Sequence, residues 1–537
     1  MNESSPAIHS ASSGDVLLYG GLLAACIALV WLLPFFPSND GPSHVYNLVI
    51  LRDLLHGQGD WGRVYVADMR LRPNLGFQLV AYPLLSLLRL NPLTVHRAFL
   101  TVYILLVGAA VPVYLRAFGR AALPVSFFVF VVIFNRPLIM GFYSYVVGIS
   151  LLLFALALAW TSRQRTVAVR VVAMNVAGLI LYVVHLFPLA IFLLALALMA
   201  VSEVKTWKER VRGLVTLGVA MSPCLLLVFA GFIVPRAHAN VVMASQMEHR
   251  QLVQQVWLHI IDGIEPLDLA SFSGLWFSRW NALPGLVALV LFVGAAVEAV
   301  RRIRRAPGRL DEAVSSSRFL VLLCAGLFAF YFVTPDFMLG TGSYKMRLPW
   351  VILLLALPLI EPGAPRVSGW AWGKLLMMLA VVTLSFNAAF LWRGSETVER
   401  FVRGLQALPR DAMIMSVNFD VRRPRRPDPL RAATSYYGLH GCIDYSNYEP
   451  QMPYLFPVHF RQPPLKGDGR LFQYLRQQPK LNQLLDEQPQ SVDWSRLPEV
   501  QFLLCWKAGA DDRLSLSQWY APFWEESDSP LTIWKRK

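Results

Sequence analysis

The chain has 537 residues, of which 55% are hydrophobic and only 15% charged, with a formal net charge of +15. Soluble globular proteins carry about 25% charged residues, so this composition, with its mean hydropathy of +0.47, excludes that class. Apolar residues come in blocks of roughly 20, the length that crosses a bilayer core, and the excess Lys and Arg reads as topology-setting charge in short loops rather than as a nucleic-acid surface.

Residues 1–15 are Ser-rich and polar, the pattern of a disordered N-terminus. Residues 16–36 are too long, and too poor in upstream positive charge and small cleavage-site residues, for a removable signal peptide. They read as the first retained span. The first outer loop, 37–93, opens Ser38-Asn39-Asp40-Gly41-Pro42-Ser43-His44. Val45, Leu48, Val49, Leu51 and Leu55 then alternate with Asn47, Arg52 and Asp53. That spacing suits a helix lying in the membrane interface. The loop's first half closes on Arg70 and Arg72.

Residues 74–89 are apolar but short for a span. If they cross, Arg116 and Arg120 fall outside. If they dip into the outer interface, those arginines fall inside, together with the basic loops around Arg163, Lys205, Arg301 and Arg366. The positive-inside bias selects the dip. The spans are then 16–36, 94–115, 121–135, 141–160, 168–184, 187–202, 212–234, 282–300, 318–334, 347–361 and 370–392. The N-terminus is cytoplasmic and the C-terminal tail extracytoplasmic. The expected fold is an α-helical polytopic membrane protein of about eleven transmembrane helices, followed by a small extracytoplasmic α/β domain over 393–537, a length within the usual range for one domain.

Polar residues collect on the outer face. They include Asn135-Arg136-Pro137 with Tyr143 and Tyr145, His185, a long loop over 235–281, and a glycine-containing loop that ends in Lys345 and Arg347. In the tail, 412–419 and 500–506 are strand-like, 422–429 is a basic, Pro-rich turn, and 471–486 has helical character. His440-Gly441-Cys442-Ile443-Asp444-Tyr445 and Asn447-Tyr448-Glu449 form a polar loop that could face the membrane site. Cys26, Cys224 and Cys324 lie in apolar spans as packing residues. Cys442 and Cys505 could pair, which spacing alone leaves open.

Asp40 admits two readings. It is a helix cap ahead of Pro42, or a carboxylate at the outer surface able to act as a general base. His44 could hydrogen-bond that carboxylate or a phosphate. Outer-face cations run against the positive-inside bias, and a phosphate leaving group supplies a reason for them. The candidates are Arg347, Lys345, Arg136, Arg72 and Arg236. Asn135, Tyr143, Tyr145 and His185 could contact a sugar. No Cys/His set has metal-site spacing. Asp262, Glu265 and Asp268 could help bind a divalent cation, and no cofactor is otherwise implied.

Over residues 14–392 the chain resembles the GT-C superfamily of membrane glycosyltransferases, on Asn39-Asp40-Gly41-Pro42-Ser43-His44 after the first span, the dipping segment 74–89, and the basic span ends. The resemblance implies a catalytic acid in the first outer loop, juxtamembrane helices and a polyprenyl-phosphate-linked sugar donor. It places the chain in the bacterial cytoplasmic membrane, with Asp40 as base, His44 orienting and an unknown acceptor. Many members carry an Asp-Glu pair in this loop. Here Gly41 follows Asp40, which narrows the expectation to a single carboxylate. The rival classes are a lipid or polysaccharide flippase, which would place polar groups at mid-membrane, and a non-enzymatic envelope scaffold. A reporter fused after Arg120 should behave as cytoplasmic; an extracytoplasmic signal there would overturn the topology.

Overall fold

The computed structural model describes residues 13–70, 72–119, 122–202, 206–234, 312–333, 337–338, 341–342, 344–360, 369–419, 427–452, 455–461 and 500–537, with isolated helical positions between 290 and 301. The long loop 235–281, most of the span expected over 282–300, the tail helix expected over 471–486 and most of the basic turn lie outside the described residues.

The membrane part is helical. Five described helices are long and apolar enough to cross a bilayer: Ser13–Leu32 (α1), Pro92–Ala117, Tyr143–Gln164, Val167–Val184 and Lys374–Ala407. Trp207–Ala220 and Ser222–Ile233 make a sixth if they count as one span bent by 66°. The break falls at Met221, just before Pro223, whose missing N–H and ring oppose a continuous helix. Segments 187–202, 318–334 and 347–361, expected as spans, are shorter apolar helices. The span expected over 121–135 falls in a shorter apolar segment, Leu123–Ile139, made of the pieces Ala122–Ser126 and Val129–Val132 and, beyond the expected end, Arg136–Ile139. The last break is local chemistry: Asn135 is extended, and its side chain accepts from the Leu138 N–H to start a new helix ahead of Pro137.

Two helices shape the first loop. Gly41–His56 (α2) starts at Pro42 in its first turn and ends on Gly57 in the left-handed region, φ 64°. Gly76–Ser86 (α3) has 11 residues, about 16 Å of helix, roughly half of what a bilayer core requires. It is too short to span the bilayer as a helix.

α2 does not lie on lipid as its amphipathic pattern suggests. It is buried on two sides. Val45 and Leu48 join the apolar core of the membrane helices. Tyr46, Ile50 and Leu51 join a second core built with the tail. Ser43, His44 and Asn47 meet polar residues of the tail, while Arg52 pairs with Asp53 within the loop.

Among the described residues the tail forms a five-stranded mixed sheet. Its strands are Met413–Asn418 (βA in the order below), Ile443–Asp444 (βB), Phe502–Trp506 (βC), Tyr520–Glu525 (βD) and Leu531–Arg536 (βE). The spatial order is βB-βA-βC-βE-βD, with βA parallel to both neighbours and βE antiparallel to βC and βD. Successive strand residues face opposite sides. Leu503 and Cys505 therefore face the α2 core, while Phe502, Leu504 and Trp506 face Val398 and Phe401 near the end of the long helix Gly369–Val402. Cys442 lies in that second cluster and Cys505 in the first, so the two thiols sit on opposite faces and are both free. A two-stranded ribbon ties loop to tail: Tyr65–Ala67 pairs antiparallel with Val458–Phe460.

At the join of α2 and the tail, Gly438 meets Tyr46. A Cβ at position 438 would lie 2.5 Å from the Tyr46 ring, so Gly438→Ala must displace a fully buried aromatic. It should cost about 1–3 kcal/mol and lower the thermal unfolding midpoint in detergent, whereas Gly218→Ala, in open space, should not.

Candidate active site

Asp40 occupies the N-cap position of α2, yet its side chain makes no capping hydrogen bond. The cap reading therefore does not describe what this carboxylate does. The residue is 4% exposed, and Oδ1 is buried without a hydrogen-bond partner. The segment 135–145 holds it from one side. The Asn39 N–H donates to the Ile139 carbonyl at 2.8 Å, and Gly141 lies against Asp40 itself. Gly141 has φ +85°, and a Cβ there would fall 2.8 Å from the Asp40 Cβ and 2.9 Å from its backbone nitrogen. Both the conformation and the space require glycine. From the other side comes Arg431 of the tail, with Nε 3.5 Å from Asp40 Oδ1.

Gly41 explains the missing second carboxylate. A Cβ at this position would overlap the Ser38 hydroxyl and the Tyr143 hydroxyl, which hydrogen-bond each other at 2.8 Å. No side chain fits at 41 without moving that pair.

His44, one turn into α2, is also buried. Nε2 lies 2.8 Å from the Gly141 carbonyl and Nδ1 lies 2.7 Å from Glu449 Oε1. A carbonyl and a carboxylate are both acceptors, so the ring serves them best with both nitrogens protonated. Burial opposes that charge, but the Glu449 carboxylate, with help from Asp40 and the Gly141 carbonyl, holds the His44 pKa above its ordinary 6.5. The ring packs among Phe77, Tyr143 and Phe456 at centroid distances of 5.5, 5.4 and 6.0 Å. Beside it Ser43 donates to Asn447 Oδ1 at 2.7 Å, and Asn47 and Asn447 exchange side-chain bonds at 3.0 Å.

The other expected residues divide. Tyr143 is fully buried and its hydroxyl contacts Ser38 and His96, so it supports the loop. Asn135 spends its amide on the Leu138 N–H, the Tyr103 hydroxyl and the Val132 carbonyl. Arg136 is buried beside it. Arg72 is engaged elsewhere: it pairs with Asp68 at 2.7 Å and donates to the Phe456 carbonyl at 2.6 Å, clamping loop to tail. Arg70, then Arg72, hold the Asp68 carboxyl below the usual carboxylate range.

Arg347 packs on the residues that follow Gly141. Its guanidinium lies 4.5 Å above the Phe142 ring and 5.4 Å from that of Tyr145, and the Tyr145 hydroxyl donates to its carbonyl at 2.6 Å. Tyr145 also meets the His185 ring edge-on at 5.4 Å. The consecutive residues Gly141 and Phe142 thus touch Asp40 and Arg347 respectively. The backbone of Lys345 is on helix Tyr344–Ala356, with its side chain outside the described residues, as is all of Arg236. Asp262, Glu265 and Asp268 also lie outside them. Among the described residues no group of three or more His, Cys, Asp or Glu could hold a metal ion.

Sequence reasoning missed Arg431 and Gly141, and flagged Glu449 and Asn447 only as parts of a polar loop. Arg431 follows the Pro-rich turn without periodicity. Gly141 carries no side chain to notice.

No known family matches the chain, and no curated protein matches it by sequence. By structure the chain is similar to ArnT from Cupriavidus metallidurans bound to undecaprenyl phosphate, with a TM-score of 0.51 and 13% identity over 98% of each chain. The fold is GT-C-like, and the likeness extends through the tail rather than stopping at the membrane half.

The His44–Glu449 contact should make stability depend on pH. His44 takes its proton more readily folded than unfolded, so its contribution is complete below 6.5 and is lost as pH climbs through the raised value. The melting temperature in detergent should fall as pH rises above 6.5, and His44→Gln should flatten that slope. An equal slope in the variant would assign it to another group.

Proposed function

We propose that the chain is a membrane glycosyltransferase. It moves a sugar from a polyprenyl-phosphate-linked donor to an envelope acceptor at the outer face of the bacterial cytoplasmic membrane, with Asp40 as general base. The GT-C-like fold supports the class, and the solved relative's bound undecaprenyl phosphate suggests the donor's lipid. The observation that carries the reading is the state of Asp40: a buried carboxylate at a helix start that neither caps the helix nor hydrogen-bonds through Oδ1.

The chemistry follows from that placement. An acceptor hydroxyl or amine attacks the anomeric carbon while Asp40 takes its proton. The bond from that carbon to the phosphate oxygen breaks, and the electron pair leaves on the polyprenyl phosphate. Negative charge grows on the leaving oxygen, where a positioned cation lowers the barrier. Arg347 stands one residue beyond Gly141's contact with Asp40, on the aromatic platform of Phe142 and Tyr145, and Lys345 and Arg136 come from the same two segments. His44 has both ring nitrogens engaged, so its part is to hold Gly141 and the tail in place rather than to move a proton. With position 41 closed to any side chain, the site works with the one carboxylate at 40.

Asp40→Asn keeps the shape and removes the base. It should reduce sugar transfer by about 10²–10⁴-fold in purified, normally expressed protein. Transfer at the wild-type rate would sink the base assignment.

A further inference from the structure

The tail sheet meets the membrane site with a particular edge. From βA the chain crosses to βB on one side, and from βB it eventually returns to βC on the other, all three strands running parallel. In open sheets ligands commonly bind outside the carboxyl ends of the parallel strands, beside the point where connections part in opposite directions, which here lies between βA and βC. The loop leaving βA carries Asp428 and Arg431, and the loop leaving βB carries Asn447 and Glu449. Both land on the start of α2. The Asp428 N–H donates to Asn39 Oδ1 at 2.9 Å, Arg431 reaches Asp40, and Glu449 reaches His44. The ligand-prone edge of the sheet and the proposed catalytic carboxylate therefore share one place.

Arg431 differs from the residues around it. Its side chain is 43% exposed, while that of its partner Asp40 is 6% exposed. Its Nε approaches a carboxylate oxygen that lacks a hydrogen bond, at a distance suited to ion pairing but long for hydrogen bonding. A guanidinium with an open side beside a buried carboxylate is placed to take a second anion.

We infer that Arg431 is a phosphate-binding residue of the donor subsite, holding the sugar–phosphate linkage next to Asp40 at the carboxyl end of βA. The inference rests on the glycosyltransferase reading and adds the tail as a contributor to donor binding. The planar fork of Arg suits two phosphate oxygens. As the donor enters, the guanidinium turns from the carboxylate to the phosphate. The carboxylate then faces the acceptor, and the cation stays with the oxygen on which charge will develop.

The test uses the full-length protein in zwitterionic nanodiscs, with polyprenyl monophosphate and the matching polyprenol as probes. Arg431→Gln should weaken binding of the phosphate about tenfold or more and leave the polyprenol unaffected. Asp40→Asn should keep phosphate binding. Equal phosphate binding in Arg431→Gln and wild type would overturn the assignment. So would parallel loss in Arg431→Gln and Asp40→Asn, which would mark a merely structural pair. Competition by anionic phosphatidylglycerol as strong as by polyprenyl phosphate would make Arg431 a general headgroup contact and likewise overturn the donor role. A wild-type protein that binds no polyprenyl phosphate would instead bring down the glycosyltransferase reading itself, so the two failures are separable.

Discussion

Burial of α2 on two opposite faces is the constraint on which the rest of the structure depends. One face packs with membrane helices through Val45 and Leu48, the other with the tail sheet through Tyr46, Ile50 and Leu51. Each such side chain contributes on the order of 1.5–3 kcal/mol when fully buried, so neither partner is easily released. Between the two faces runs a polar seam of Ser43, His44 and Asn47 against Asn447 and Glu449. A seam of hydrogen bonds inside an apolar sandwich tolerates little slippage, because a shift strands buried donors and acceptors. Apolar area supplies the adhesion and the seam supplies the register.

The same logic reaches Asp40. A buried ion pair such as His44–Glu449 adds little net stability, but removing one partner costs about 3–5 kcal/mol. The pair is therefore better understood as alignment. His44 grips the Gly141 carbonyl with its other nitrogen, and Gly141 is the residue pressed against Asp40. Tail, imidazolium, glycine and carboxylate form one chain of contacts. The solvent-facing Arg431 completes it from the tail side.

Much of this was legible in the sequence wherever a period or a local rule was at work. The apolar blocks gave the long helices, the shortness of 74–89 gave the short helix α3, and apolar runs of strand length gave the strands at 413–418 and 502–506. Asp40 stood out because a carboxylate after a first span is unusual. What escaped was tertiary. The pattern of α2 could not distinguish lipid from a protein sheet as the partner of its second face, since both reward apolar residues. Arg72 looked like an anion site because its partners, Asp68 and the Phe456 carbonyl, come together only through the loop–tail ribbon. The break in 121–135 followed from a cap at Asn135 inside an apolar run, where hydropathy dominates any reading. The role of Gly41 required the positions of Ser38 and Tyr143.

The contacts that close the site join residues far apart in the chain. Ser43 and Asn447 are separated by 404 positions, and the sheet that covers α2 ends at Arg536. At roughly 5–20 residues per second, a ribosome that has just released α2 needs on the order of 20–80 s more to deliver its partners. During that interval α2 has one face in place and the other bare. The nascent protein is thus a membrane anchor before it is a finished site, and its late-made strands act as the clasp that brings the site into service.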